Sequence, residues 1–116
     1  MNNLIINIGL NVNNNEPKGQ VILTLETLSK LFNNVQINYS ISTCGQWDDK
    51  HERVVILYVN AGELNLLSIK LILSWLCTEL NQDAISFKLN NEGHIVFDPL
   101  YTGEKFEFSA EKFINF

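Results

Sequence analysis

Apolar residues in this chain recur at two different spacings, and the spacing changes in a fixed order along the sequence. From residue 4 to 12, Leu4, Ile6, Ile8, Leu10 and Val12 occupy every second position, with Asn7, Gly9 and Asn11 between them. A period of two places those side chains on one face of a strand. From about Lys18 to Phe32, Val21, Leu25, Leu28 and Phe32 repeat every three or four residues, the period of an amphipathic helix. Val35, Ile37, Tyr39 and Ile41 return to period two. The run Val54 to Val59 is apolar on both faces, as in a central strand partly covered on its second side.

A second helix is predicted from about Glu63 to Leu80, introduced by Asn60-Ala61-Gly62. Its apolar set (Leu64, Leu66, Leu67, Ile69, Leu71, Ile72, Leu73, Trp75, Leu76, Leu80) spans more than the arc of a little over 100° that one sheet can cover. A partner or the C-terminal tail is expected to cover the excess. Ala84 to Leu89 and His94 to Phe97 flank Asn90-Asn91-Glu92-Gly93 and read as a hairpin. The tail from Leu100 to Phe116 carries Tyr101, Phe106, Phe108, Phe113 and Phe116, and so aromatic a segment is expected to pack down.

Strand, helix, strand, strand, helix, strand, then hairpin is the order of an α+β, ferredoxin-like β-α-β-β-α-β sandwich: an antiparallel sheet with two helices on one face. Residues 1–116 are expected to form one such domain, a length that buries a core without staples. Asparagine clusters separate the apolar runs, where that residue tolerates turn geometry.

Thirteen acidic residues against eight basic ones give a net charge of −5. The lysines and arginine are scattered, so the cationic surface that neutralises phosphates is missing and direct nucleic-acid binding is not expected. No stretch has the length or continuity of a membrane span, nor does residue 1 lead into a signal sequence, and a cytoplasmic location is expected. Two cysteines, Cys44 and Cys77, have neither the density of a disulfide scaffold nor metal-ligand spacing. Cys77, within Trp75-Leu76-Cys77, reads as a buried structural thiol.

No nucleotide-binding, serine-nucleophile or zinc signature is present. Gly9 lies inside a strand, where it permits close approach by a neighbour or ligand. The segment containing Cys44, Asp48, Asp49, His51 and Glu52 combines a thiol, a base and carboxylates, but at no diagnostic spacing; a solvated, charge-rich connection is the reading preferred to a catalytic loop. Trp47, in the same segment, is either folded back as a lid or exposed as a contact anchor. No catalytic, cofactor or metal-ligating residue is therefore assigned.

At both ends the chain resembles a loose group of small uncharacterised proteins from bacterial viruses, prophages and bacterial genomes. The resemblance is carried by Ile6-Asn7-Ile8-Gly9-Leu10, Leu80-Asn81-Gln82-Asp83-Ala84-Ile85, the Glu92-Gly93 hairpin and the aromatic ending. Gly103, Phe106, Phe108 and Phe113 stand where the relatives have a tryptophan-glycine and a phenylalanine-rich close. The resemblance implies a compact, phage-encoded accessory protein and brings no activity with it.

The function expected is a non-catalytic interaction module that binds and modulates a host protein, for instance to block a defence system. Its candidate contact residues are Trp47, Asp48, Asp49, Glu52, Leu66, Ile69 and Leu73, with a host protein or a second copy of the chain as partner. Two alternatives are a small-molecule-binding regulatory domain, like the amino-acid-binding ferredoxin-like modules, and an enzyme using the Cys44–Glu52 segment.

Overall fold

A computed structural model describes residues 2–31, 37–47 and 50–99. Five strands and two helices follow in the order β1 (Asn2–Gly9), α1 (Gln20–Leu31), β2 (Ile37–Trp47), β3 (Lys50–Gly62), α2 (Leu66–Glu79), β4 (Ala84–Leu89) and β5 (Glu92–Phe97). All strand pairs are antiparallel, in one sheet of order β2-β3-β1-β4-β5. The fold is α+β, and its strand order is compatible with the ferredoxin-like arrangement, extended at one edge by β5.

The period-two residues of β1 behave as their spacing demands. Leu4, Ile6, Ile8 and the following Leu10 are buried, joined by Val55, Leu57 and Val59 of β3, Ile85 and Phe87 of β4, and Val96 of β5. Leu28 of α1 and Ile69, Leu73, Leu76 and Cys77 of α2 belong to the same core, so both helices cover one face of the sheet. The other residues of each strand face away from the helices and form the second, helix-free face.

Several elements differ from the sequence reading for identifiable reasons. β1 ends at Gly9, and a tight turn follows in which Val12 and Asn15 exchange backbone hydrogen bonds of 2.7 and 3.2 Å. Asn13 (φ 52°) and Asn14 (φ 71°) make that turn, in the left-handed region asparagine visits more readily than most residues.

The inward face of α1 holds Val21, Leu25 and Leu28 of its apolar spacing but widens to Gln20 and Thr24, which are buried, while Ile22 and Leu23 are exposed. Both polar groups are satisfied, Thr24 Oγ1 donating to the Gln20 carbonyl (2.8 Å) and Gln20 Nε2 to the Leu80 carbonyl (3.2 Å). Burying them therefore carries little penalty. Phe32 and the aromatic residues of the tail lie outside the described residues.

Of the charge-rich segment after residue 43, the described residues 44–47 and 50–52 are strand rather than loop. Beyond an irregularity between Ser42 and Gly45, β2 and β3 continue to pair as Gly45↔Glu52, Gln46↔His51 and Trp47↔Lys50. β1 pairs with β3 only as far as Val54. The hairpin end thus overhangs the sheet and has no core to face, which explains why a true strand there is polar and hides its period.

α2 starts later than Asn60-Ala61-Gly62 suggests, because β3 runs through Gly62 and Asn65 is the N-cap, accepting the Ser68 amide at 2.8 Å. The helix stops at a Schellman-type cap. The Gln82 amide reaches the Cys77 carbonyl (2.9 Å), the Asn81 amide reaches Thr78 (3.3 Å), and Asn81 is left-handed (φ 53°). Ser74 and Thr78 then tie the helix to the end of β5 through the Phe97 carbonyl and the Asp98 carboxylate. Among the described residues, no helix is long and apolar enough to cross a membrane.

Candidate functional site

The helix-free face of the sheet is concave and holds a cavity of about 270 Å³. Its walls come from alternate positions on neighbouring strands: Asn7 and Gly9 of β1, Ser42 and Gly45 of β2, Glu52, Val54 and Ile56 of β3, and Ala84 and Ser86 of β4, with Ile95 of β5. The mixture is that of a ligand pocket, mostly small or apolar side chains with a few polar groups aimed inward. Val54 and Ile56 explain the second apolar face of β3, which lines this cavity.

Two glycines make the hollow. A Cβ on Gly9 would collide with the Glu52 carboxylate, and a Cβ on Gly45 would collide with the Val54 side chain and lie 2.8 Å from the Glu52 carbonyl oxygen. In strands, where glycine is disfavoured, both positions are set by close approach. The one at position 9 clears space for an ionisable group.

Glu52 is half-buried, and its Oε2 accepts the Asn11 backbone amide at 3.0 Å. Asn11 is itself held twice more: its Nδ2 donates to the His51 carbonyl (3.3 Å) and its carbonyl accepts from Gln82 Nε2 (2.8 Å). Gln82 is buried and also reaches the Leu80 carbonyl. The caps that end β1 and α2 are therefore stitched together behind one carboxylate. Burial raises the Glu52 pKa above the ordinary glutamate range, the Asn11 amide opposes that, and the nearby charge of Asp83 adds to it. Carboxylates perturbed by burial in a cleft are candidates for function.

A second cavity, of about 230 Å³, adjoins the first; Glu52, Gln82 and Asp83 line both, and Asn11, Asn13, Asn14 and Asn81 complete it.

The residues singled out from sequence are dispersed by the fold. Glu52 is at the centre of the site. Trp47 ends β2 opposite Lys50, its side chain outside the described residues, as are Asp48 and Asp49. Leu66 is partly buried against the core, while Ile69 and Leu73 are fully within it; the apolar residues α2 presents outward are instead Leu67, Leu71 and Trp75. His51 is exposed and pairs with Gln46. Cys44 falls in the irregular stretch of β2, its side chain outside the described residues. His94 stacks on Phe87, with ring centroids 5.1 Å apart. Burial drives the Cys77 thiol pKa upward, with the charges of Asp98 and Asp83 adding to the shift, so the thiol is held protonated within the core.

Asn7, Ser42, Asp83 and Ser86 carry no assigned role in the sequence analysis, although Asn7 and Asp83 lie in segments that bear the phage-protein resemblance. Otherwise they stand at polar alternate positions or helix stops, which describes most exposed residues as well. Gly9 was the better signal, since a strand glycine demands a reason.

No family model matches this chain, and no curated protein matches it by sequence. Its fold is similar to two solved structures. One is a phage SAM lyase in complex with S-methyl-5'-thioadenosine, at TM-score 0.56 and 12% identity over 87% of this chain and 92% of that one. The other is a phage SAM lyase in the apo state, at TM-score 0.57 and 11% identity with the same coverage. These likenesses correct two expectations. The fold is one that phage use for an enzyme, so the expectation of a non-catalytic interaction module that modulates a host protein, and with it the preference for a non-enzymatic role, does not stand.

Proposed function

We propose that this chain is a phage-encoded enzyme that cleaves S-adenosylmethionine, with Glu52 as the carboxylate that draws in and orients the substrate. The observation that carries this reading is the placement of Glu52. It is a half-buried carboxylate, fixed by the Asn11 amide, in a cavity on the helix-free face of a fold shared with a phage SAM lyase.

The chemistry suits the surroundings. S-adenosylmethionine is a sulfonium cation, and the excess of acidic over basic residues favours its approach. In the lyase reaction the bond between sulfur and the γ carbon of the amino-acid half breaks, and both electrons stay on sulfur. The departing methylthioadenosine is then a neutral thioether. The γ carbon is taken by an oxygen of the substrate's own carboxylate, closing a lactone whose ammonium group keeps the substrate's net charge of +1, so atoms and charge balance without a proton from the protein. Opposite charges vanish as the reaction proceeds. A cavity walled by Val54, Ile56, Ala84 and Ile95 solvates the charged ground state less well than water does, and favours that loss of charge. Glu52 is accordingly an orienting group, because a carboxylate that held the sulfonium too tightly would stabilise the substrate more than the transition state.

The reaction would take place in the cytoplasm.

Incubation with S-adenosylmethionine and mass-spectrometric detection of methylthioadenosine tests the reading. Turnover by the native chain and its loss, by about a hundredfold or more, in Glu52→Gln is expected, a loss typical of a misoriented substrate. Absence of both turnover and methylthioadenosine binding would sink it.

A further inference from the structure

The second cavity extends the site toward a part of the substrate that the first does not suit. The two chambers share Glu52, Gln82 and Asp83 but differ in every other wall. The sheet-face chamber adds Val54, Ile56, Ala84 and Ile95, whereas the other adds only asparagines, at positions 11, 13, 14 and 81. Asn13, Asn14 and Asn81 all have left-handed backbones, with φ of 52°, 71° and 53°, so two tight turns bring their amides to one rim. Among the described residues no lysine or arginine lines this chamber, while two carboxylates do.

Such a lining discriminates. A purine or a thioether finds no apolar wall there. An ammonium group meets Glu52 and Asp83, and carboxamide N–H groups can donate to a carboxylate. A volume of about 230 Å³ has room for the amino-acid half of the substrate, its ammonium, its carboxylate and the three carbons that lead from Cα to the sulfur.

We propose that the asparagine-lined chamber is the subsite for the zwitterionic amino-acid half of the substrate, with Asp83 receiving its ammonium group, while the sheet-face chamber takes the thionucleoside. Glu52, Gln82 and Asp83, common to both, mark the junction where the scissile bond lies. This rests on the S-adenosylmethionine reading and deepens it.

Two ligands separate the halves. S-adenosylhomocysteine carries the amino-acid half but no sulfonium, so it is not cleaved; methylthioadenosine lacks that half. Calorimetric titration of the full chain and of Asp83→Asn with both is the test. The expected result is that Asp83→Asn weakens S-adenosylhomocysteine about tenfold more than it weakens methylthioadenosine, a difference of roughly 1.4 kcal/mol, read as a difference because Asp83 also borders the thionucleoside chamber. Retained methylthioadenosine affinity also reports that the variant is folded, and Asp83→Glu, which keeps the carboxylate, should recover most of the loss. Equal weakening of both ligands, or of neither, overturns the subsite while the enzymatic reading survives. A native chain that binds neither ligand and shows no turnover overturns both.

Discussion

Gly9 of β1 and Glu52 of β3 occupy the same space on the helix-free face: the Glu52 carboxylate lies where the side chain of any other residue at position 9 would begin. The strand gives up its side chain at that point, and the carboxylate comes to rest against bare backbone beside the Asn11 amide.

Two glycine substitutions should therefore fail in different ways. In Gly9→Ala the obstacle is the mobile end of a glutamate, which can swing away. Turnover of S-adenosylmethionine should fall toward the level of Glu52→Gln with only a small loss of stability. In Gly45→Ala the obstacles are a β-branched valine and a backbone oxygen, which cannot. A loss of about 1–3 kcal/mol is expected there, as for overpacking elsewhere. Urea denaturation alongside the turnover assay distinguishes the two; equal stability losses would contradict this account.

The raised pKa of Glu52 sets a pH dependence with a definite sign. The native state holds the proton more tightly than the unfolded chain, so stability is greatest below the unfolded pKa. It declines as pH rises from there through the folded pKa, then levels off. Glu52→Gln should flatten that segment of the stability curve. A bound cation favours the ionised carboxylate, so affinity for S-adenosylmethionine should rise over the same window. Denaturation and titration between about pH 4 and 7 check both slopes.

Truncation of α2 should divide by face. Leu73 is fully buried, and Leu73→Ala should cost about 2–5 kcal/mol. Leu71 is 54% exposed, and Leu71→Ser should stay within about 0.5 kcal/mol in dilute monomer. A large effect of Leu71→Ser that grows with protein concentration would show instead that a second copy covers this face.

Gln82 has no place in the chemistry but holds the turn that positions Glu52. Gln82→Leu removes the donor to the Asn11 carbonyl and leaves that oxygen unpaired, at a cost of about 1–3 kcal/mol. Its signature should be a shift in the pH profile of turnover, since the Asn11 amide that restrains the Glu52 pKa would no longer be fixed. An unchanged profile with reduced stability would make Gln82 a purely structural residue.

Local pattern in the sequence was enough to determine the order of elements, the buried faces of β1 and β4, and the stops after β1 and α2 at Asn13 and Asn81, but not which of the many apolar residues of α2 turn inward. Each of these depends on neighbours within a few residues, where solvent exposure imposes a period of two or of three to four. Even the identity of Glu52 as a residue of interest came from its segment. What lay beyond local pattern was decided by pairing. The polar overhang of β2 and β3 has no core beneath it and so carries no period to read. The inward turn of Gln20 and Thr24 depends on hydrogen bonds, one of which reaches across to Leu80. The cavity exists because Gly9, Gly45, Glu52 and Asp83, distant along the chain, share one end of one face. Sheet register and the α2 cap bring them together, and neither is encoded in the residues nearest to any one of them.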